Sequence, residues 1–303
     1  MRFFYVFGAI FEPSQKTFFN LGLAIGKTDA IIRIVIGSTD TEENMKKEMI
    51  KELESNGIKA YGNQVMIDGT LYPLPLVQGN EKLGKKVWHS STLPTNGIIT
   101  ATDTDGNTIS ECGTCPITCK GCYGTTNNYR YNSVKYVLIM RTRLLKNYPH
   151  IYFLLVALQL KYENIEKLRI HAVGDFIKGE ALGFYNVLKQ FPNVKAWTYT
   201  KVKENDEIRM LNSLDNCNIV KSIIPHCGFN FGHVPYIASV YYRLKRENKS
   251  VYICKCGIDK NQHCSDCNGC SEHEYVLFIE HSTGYNAETD YGYEKIVSLI
   301  NNQ

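Results

Sequence analysis

Residues 168–176 read LRIHAVGDF, and the reading of the fold turns on them. LRIHAV (168–173) is a short, mostly apolar run. It is closed by Gly174-Asp175, a pair that favours a turn, so the stretch reads as a buried strand ending in a loop. The same rhythm continues on both sides. Downstream, 180–191 has a helical pattern, 194–200 (VKAWTYT) a strand pattern, and 204–214 a helical one. Strand 218–224, helix 237–246, strand 251–254 and strand 275–280 follow. Upstream, 132–146 carries Val134, Val137, Leu138, Met140 and Leu144 or Leu145 on one helical stripe. Residues 151–162 are apolar nearly all round, as in a buried helix. Strands alternating with helices predict parallel βα units. About six units fit after residue 108, too few for a closed eight-fold barrel and enough for an open one. The expected class is α/β: a partial, open βα barrel with an N-terminal α+β extension (1–105), a core (106–250) and a last segment (251–303) with a second cysteine cluster.

The extension lacks cysteine. IIRIVI (31–36) reads as a strand, Thr39 to Glu42 as a capping box, and Met45, Met49 and Leu53 as a helical stripe ended by Gly57. Residues 59–72 read as a hairpin around Asp68-Gly69. GLAIGKT (22–28) resembles a phosphate-binding loop but has three residues between its glycines where four are needed, so it reads as a turn.

Nine of the eleven cysteines fall into two groups. Residues 112–124 read CGTCPITCKGCYG. Structural zinc sites usually pair two CxxC-like knuckles across a longer loop. Three cysteines on one short loop suit the cubane iron–sulfur cluster. Cys115, Cys119 and Cys122 would hold three irons, and Cys112 would either close the fourth or leave it open. Zinc is the alternative. Residues 254–270 read CKCGIDKNQHCSDCNGC. Cys264, Cys267 and Cys270 have ferredoxin-like spacing, and Cys256 or Cys254 can supply the fourth ligand. His263 and His273 keep zinc open here too. Cys217 and Cys227 read as core thiols.

In parallel α/β folds the reactive rim lies beyond the carboxyl ends of the strands. A first strand ending near Ser110 would lead into the Cys112–Cys122 loop. The later strands would lead to Gly174-Asp175, Lys201, Ser222 with His226 and Cys227, Cys254, and His281. Each also has a plain structural reading: His171 as a satisfied core histidine, Asp175 as a turn residue, Lys201 as a solvated lysine.

The triplet Cys115-x3-Cys119-x2-Cys122 resembles the signature of the radical S-adenosylmethionine superfamily, and HAVGDF resembles that superfamily's glycine-rich motif. Gly121 stands where an aromatic residue usually precedes the third cysteine, with Tyr123 just after it. The order CxxxCxxCY, HxxGDF, YTK (199–201) and a C-terminal cysteine cluster also resembles the phage gene product 88 family, over roughly residues 108–285. The resemblance implies one or two [4Fe–4S] clusters and S-adenosylmethionine, reductively cleaved to start radical chemistry on a substrate, small or macromolecular, that the sequence does not name. It implies Tyr123, Gly174, Asp175, Lys201 and Ser222 as cofactor-binding residues, with Asp175 taking the methionine ammonium. His171, Lys201 and His281 are the candidates for catalysis, and the electron donor would be of flavodoxin or ferredoxin type. The competing class is a non-catalytic, metal-stabilised binding or electron-transfer protein.

The chain has 303 residues, 44% hydrophobic and 21% charged, as in an ordinary globular protein. A net charge of +4 makes no electrostatic case for nucleic acid or an anionic membrane. The basic stretch 241–249 (YYRLKRENK) reads as a solvated helix face. The opening run MRFFYVFGAIF is too short to span a bilayer and has no small-x-small site after it, so it reads as a core strand. A cytoplasmic location follows from that reading and from cysteine clusters that suit a reducing compartment.

Overall fold

The structure, a computed structural model, describes residues 18–21, 32–35, 42–79, 83–117, 122–221, 231–232, 234–255 and 262–279. The opening apolar run, the 22–28 turn and the cap at Thr39 lie outside these residues. Strands β1 (Phe18–Leu21) and β2 (Ile32–Val35) pair antiparallel. Helix α1 (Glu42–Ser55) follows, burying Met49 and Leu53. Gly57, at φ +75°, ends it and lets the Ile58 amide return to the Leu53 carbonyl. Strands β3 (Lys59–Tyr61), β4 (Gln64–Ile67) and β5 (Thr70–Pro73) form an antiparallel meander. Asp68 and Gly69 both have positive φ, the requirement of the tight hairpin turn the sequence predicts.

The central sheet has five strands in the order β12-β11-β10-β7-β6. Its edge strand β6 (Val77–Gln78) runs antiparallel to β7 (Val87–His89). Strands β7, β10 (Lys167–Arg169), β11 (Lys195–Thr200) and β12 (Cys217–Lys221) are parallel. Between β7 and β10 the chain makes the hairpin β8 (Ile98–Thr102) and β9 (Thr108–Cys112), the cysteine loop, and helices α2 (Asn132–Asn147) and α3 (Pro149–Tyr162). Helix α4 (Glu180–Leu188) joins β10 to β11, and α5 (Asp206–Asn212) joins β11 to β12. A second parallel sheet, β13-β15-β14, follows. It is built from β13 (Phe231–Gly232), α6 (Val234–Arg246), β14 (Val251–Ile253), α7 (Gly269–Glu272) and β15 (Tyr275–Ile279). No closed barrel forms among the described residues.

Two expectations are corrected. The strand ending near Ser110 is β9, and it pairs antiparallel with β8 rather than joining the parallel sheet. The first parallel strand is β7, and β8–β9 is an insertion between it and the cysteine loop. An alternating stretch such as TISEC fits either kind of ladder, and sequence alone does not choose. Second, β10 stops at Arg169, because His171 adopts a left-handed φ of +58°. The N-terminal extension packs on the core: Met49, Leu53, Val65 and Tyr72 share one apolar cluster with Leu155, Leu168 and Phe184.

Parallel sheets need cover on both faces. Register places Leu168, Ala196 and Cys217 side by side on one face, in the core formed with α2–α5. Helix α3 is buried all along 152–160, as its unbroken apolar sequence predicts. Arg169, Trp197, Tyr199 and Val220 stand on the opposite face. There Val87, Trp197, Tyr199 and Val220 pack against Cys254, Cys264, Cys267 and Cys270. The second cysteine segment is therefore the inner cover of the sheet. On α6 the basic residues Arg243, Lys245 and Arg246 are exposed in the last turn, where they complement the helix dipole.

Candidate functional site

The rim beyond β7, β10 and β11 is built from three loops clasped by buried hydroxyls. Residues 90–95 leave β7 with Ser90, Ser91, Thr92 and Thr95 all buried. The Thr92 amide donates to the Val173 carbonyl, and the Ser90 carbonyl accepts from the Ala172 amide. Thr92 Oγ1 and Thr114 Oγ1 are 2.9 Å apart, and the Asp175 amide donates to Thr114 Oγ1 at 2.9 Å. Thr114 thus ties the cysteine loop to the glycine–aspartate loop one residue before Cys115. The Cys115 amide is fixed on the Thr95 carbonyl.

Gly174 is required here. Its φ is +93°, and a Cβ would stand 2.0 Å from Thr92 Oγ1. Gly124, on the far side of the cysteine loop, is packed as tightly against Val173 and Pro94. Asp175 is 1% exposed. Its Oδ1 accepts from the Phe176 amide at 2.9 Å and the Thr200 hydroxyl at 2.6 Å, and its Oδ2 accepts from the Lys201 amide at 2.8 Å. The carboxylate therefore locks the end of β11 onto the end of β10. Cys115 is buried beside this clasp. Burial pushes its thiol up to about 12; the Lys201 charge opposes that, and Asp175 and Cys122 add to it. Cys122, Asp175 and Lys201 thus each lie within electrostatic reach of Cys115.

The structure keeps other predicted residues away from this group or in supporting roles. Cys112 is exposed, paired in the β8–β9 ladder opposite Ile98. His171 is a core residue: Nε2 meets Glu180 Oε1 at 2.9 Å with both side chains fully buried, and its ring packs edge-on to Phe176. Burial works against its protonation, but the Glu180 charge and hydrogen bond outweigh it and raise the imidazole pKa. Tyr123 opens a 3₁₀ turn, Tyr123–Thr125, directly after Cys122. Cys119, Ser222, His226, Cys227, Cys256 and His281 lie outside the described residues. Cys217 is a buried core thiol, raised to about 12 by burial. His273 bonds the Gly269 carbonyl and stacks on Tyr252.

The second cysteine group is held against the sheet face opposite the α2–α5 core. Lys167 Nζ donates to the Ser265 carbonyl at 2.7 Å and to Asn268 at 3.1 Å. Asn218 donates to the Cys270 and His273 carbonyls, each at 2.8 Å. The Tyr199 hydroxyl donates to Cys270 Sγ at 2.6 Å. Burial raises Cys270 to about 12, opposed by that hydrogen bond and by Arg169.

Donor chemistry at both places fits metal–thiolate centres: buried or half-buried soft sulfurs grouped on turns, with hydrogen-bond donors aimed at the sulfurs of the second group. As the side chains stand, no group of three or more His, Cys, Asp or Glu among the described residues is arranged to hold a metal ion. Sequence reasoning missed the hydroxyl run 90–95, Thr114, Glu180 and Arg169. A run of four small hydroxyl residues just past a strand (HSSTLPT) was the available signal.

Parallel strands whose carboxyl-edge loops carry a cysteine motif and a Gly-Asp turn define an α/β protein with a rim site. A model of the gene product 88 family matches residues 74–268, well over half the chain, and the chain belongs to that family. The match begins just before β6 and β7, earlier than the residue near 108 expected from the motifs. That agrees with β7 as the first parallel strand. No curated protein and no solved structure matches the chain. No helix among the described residues is long and apolar enough to cross a membrane.

Proposed function

We propose that this chain is an iron–sulfur enzyme of the radical S-adenosylmethionine type, built on an open partial βα barrel of which the two parallel sheets are parts. The observation that carries the reading is that Thr114 ties the Cys115 loop to Asp175, and Asp175 binds the Lys201 amide, beyond the carboxyl ends of β10 and β11. Cys115, Cys119 and Cys122 are the ligands of the first cluster. Cys264, Cys267 and Cys270 belong to an auxiliary centre. When bound, the cluster and cofactor supply a one-electron cleavage that yields a 5′-deoxyadenosyl radical. The chain's own residues orient and exclude. Thr92 and Thr114 fix the two loops, and burial of Asp175 and Cys115 keeps water from the site. Asp175 accepts three protein hydrogen bonds of about four that a carboxylate can take, so one lone pair remains to accept from an ammonium donor. Lys201 and Ser222 are placed by sequence to meet the cofactor's carboxylate or ribose, and an electron donor of flavodoxin or ferredoxin type completes the system.

A second reading, a closed-cluster or zinc-stabilised binding or electron-transfer protein, is favoured by the anchoring of Asp175, which makes it part of the loop's framework. Metal content of anaerobically isolated protein separates the zinc form of this reading from the enzyme, and release of 5′-deoxyadenosine from S-adenosylmethionine separates the closed-cluster form. The enzyme reading expects about eight irons per chain from two cubane clusters. Zinc with no iron would end it.

A further inference from the structure

Metal sites are tuned by what surrounds the ligand sulfurs. On the inner face of the central sheet, two donors point at two cysteines: the Tyr199 hydroxyl at Cys270 Sγ (2.6 Å) and the Gly269 amide at Cys267 Sγ (3.3 Å); the Tyr252 hydroxyl lies 3.3 Å from Cys267 Sγ, where either group can donate. A neutral thiol is a weak acceptor, whereas a metal-bound thiolate is a charged one. Gly269 can come this close because it has no Cβ: one would stand 2.2 Å from the Tyr252 ring. The Arg169 guanidinium lies over the Tyr199 ring, 5.5 Å from its centre, and its charge bears on Cys270. Cys254 reaches the same place from the end of β14. It is 7% exposed and lies in one apolar cluster with Val220, Tyr252 and Val276, against which Tyr199, Cys267 and Cys270 pack. Cys264 joins Cys270 and Tyr199 in packing against a second apolar cluster of Leu83, Val87 and Trp197.

Resting on the reading of this segment as a metal centre, we infer that Cys254, Cys264, Cys267 and Cys270 are its four ligands, and that Tyr199 and Arg169 are positioning residues that set its reduction potential. Binding exchanges each thiol proton for a metal–sulfur bond. The resulting centre carries net negative charge. A hydroxyl dipole and a guanidinium beside it favour the reduced, more negative state, and so raise the potential.

The test uses the full chain with Cys115, Cys119 and Cys122 changed to Ser, loaded anaerobically with ferrous iron and sulfide. The expected uptake is about four irons per chain, abolished by Cys254→Ser and retained by Cys256→Ser. Tyr199→Phe keeps the ring and its packing, checked by near-ultraviolet circular dichroism. This change and Arg169→Gln should each shift the reduced-to-oxidised ratio about tenfold toward oxidised at fixed ambient potential, about 59 mV for a one-electron couple. No iron uptake would overturn the metal-centre reading itself. Uptake that needs Cys256 instead of Cys254, or potentials unmoved in both variants, would overturn the inference and leave that reading standing.

Discussion

Replacing Gly174 with Ala should cost far more than the same change at Gly179. Both glycines have positive φ, +93° and +84°. Around Gly179 a Cβ meets nothing within 4 Å, so only backbone strain of ~1–3 kcal/mol is added. At Gly174 the Cβ would lie 2.0 Å from Thr92 Oγ1 and 3.0 Å from both Thr114 Oγ1 and the Thr92 carbonyl carbon. Thr92 is fully buried and cannot swing aside without leaving its partner Thr114. Backbone strain of ~1–3 kcal/mol adds to overpacking of ~1–3 kcal/mol, so the expected loss is about 4 kcal/mol. For a chain of this size that lowers the melting temperature by roughly 10 °C. Urea unfolding of both variants gives the comparison. Thr92→Ala should relieve part of the clash, making the double variant Thr92→Ala/Gly174→Ala more stable than the sum of its single effects. Equal losses at Gly174 and Gly179, or strict additivity with Thr92→Ala, would refute the contact between the two loops.

Other outcomes follow from the same geometry. Glu180→Ala strands buried His171 without its carboxylate and should cost about 3–5 kcal/mol. Glu180→Gln keeps an acceptor for the Ile177 amide and should cost less in a denaturation midpoint, and equal costs would deny the charge any role. Because the His171 pKa is raised in the fold, that pair's contribution is full below the ordinary histidine value of 6.5 and is lost as pH rises through the folded value. His89 behaves oppositely. Burial first, then the Arg169 charge, lowers it to about 4, so stability falls as pH drops from 6.5 toward 4, by at most about 3 kcal/mol. His89→Gln should flatten that part of the pH–stability curve, and an unchanged slope would refute it. Cys112→Ala should leave iron content and cofactor cleavage intact, since Cys112 is exposed in the β9 ladder. A loss as complete as that of Cys119→Ala would show that the first cluster needs four thiolates.

The sequence made the helices and most parallel strands legible because their signals are local. Helix α3 is apolar all round because it is buried all round, and Asp68-Gly69 makes the hairpin turn through two positive φ angles. It did not reveal that β7, three residues long, opens the parallel sheet. A strand that short has too little periodicity to read, and its partner β10 lies eighty residues on. At the rim, Gly174-Asp175, Lys201 and the cysteine triplet stood out as polar or sulfur groups after strands. Thr92, Thr114 and Glu180 did not, because their importance lies in partners distant in sequence. Asp175 was legible as a site residue, but its bonds to Thr200 and Lys201 are a product of the fold.

The measurement that tests the central claim most directly is release of 5′-deoxyadenosine from S-adenosylmethionine. Protein reconstituted anaerobically with iron and sulfide is reduced with dithionite, and the product is followed by chromatography. The account predicts release that depends on both reductant and protein, and that Cys115→Ala, Cys119→Ala and Cys122→Ala each abolish while Cys112→Ala does not. Iron-loaded, reducible protein that releases none would contradict it and leave an electron-transfer protein in its place.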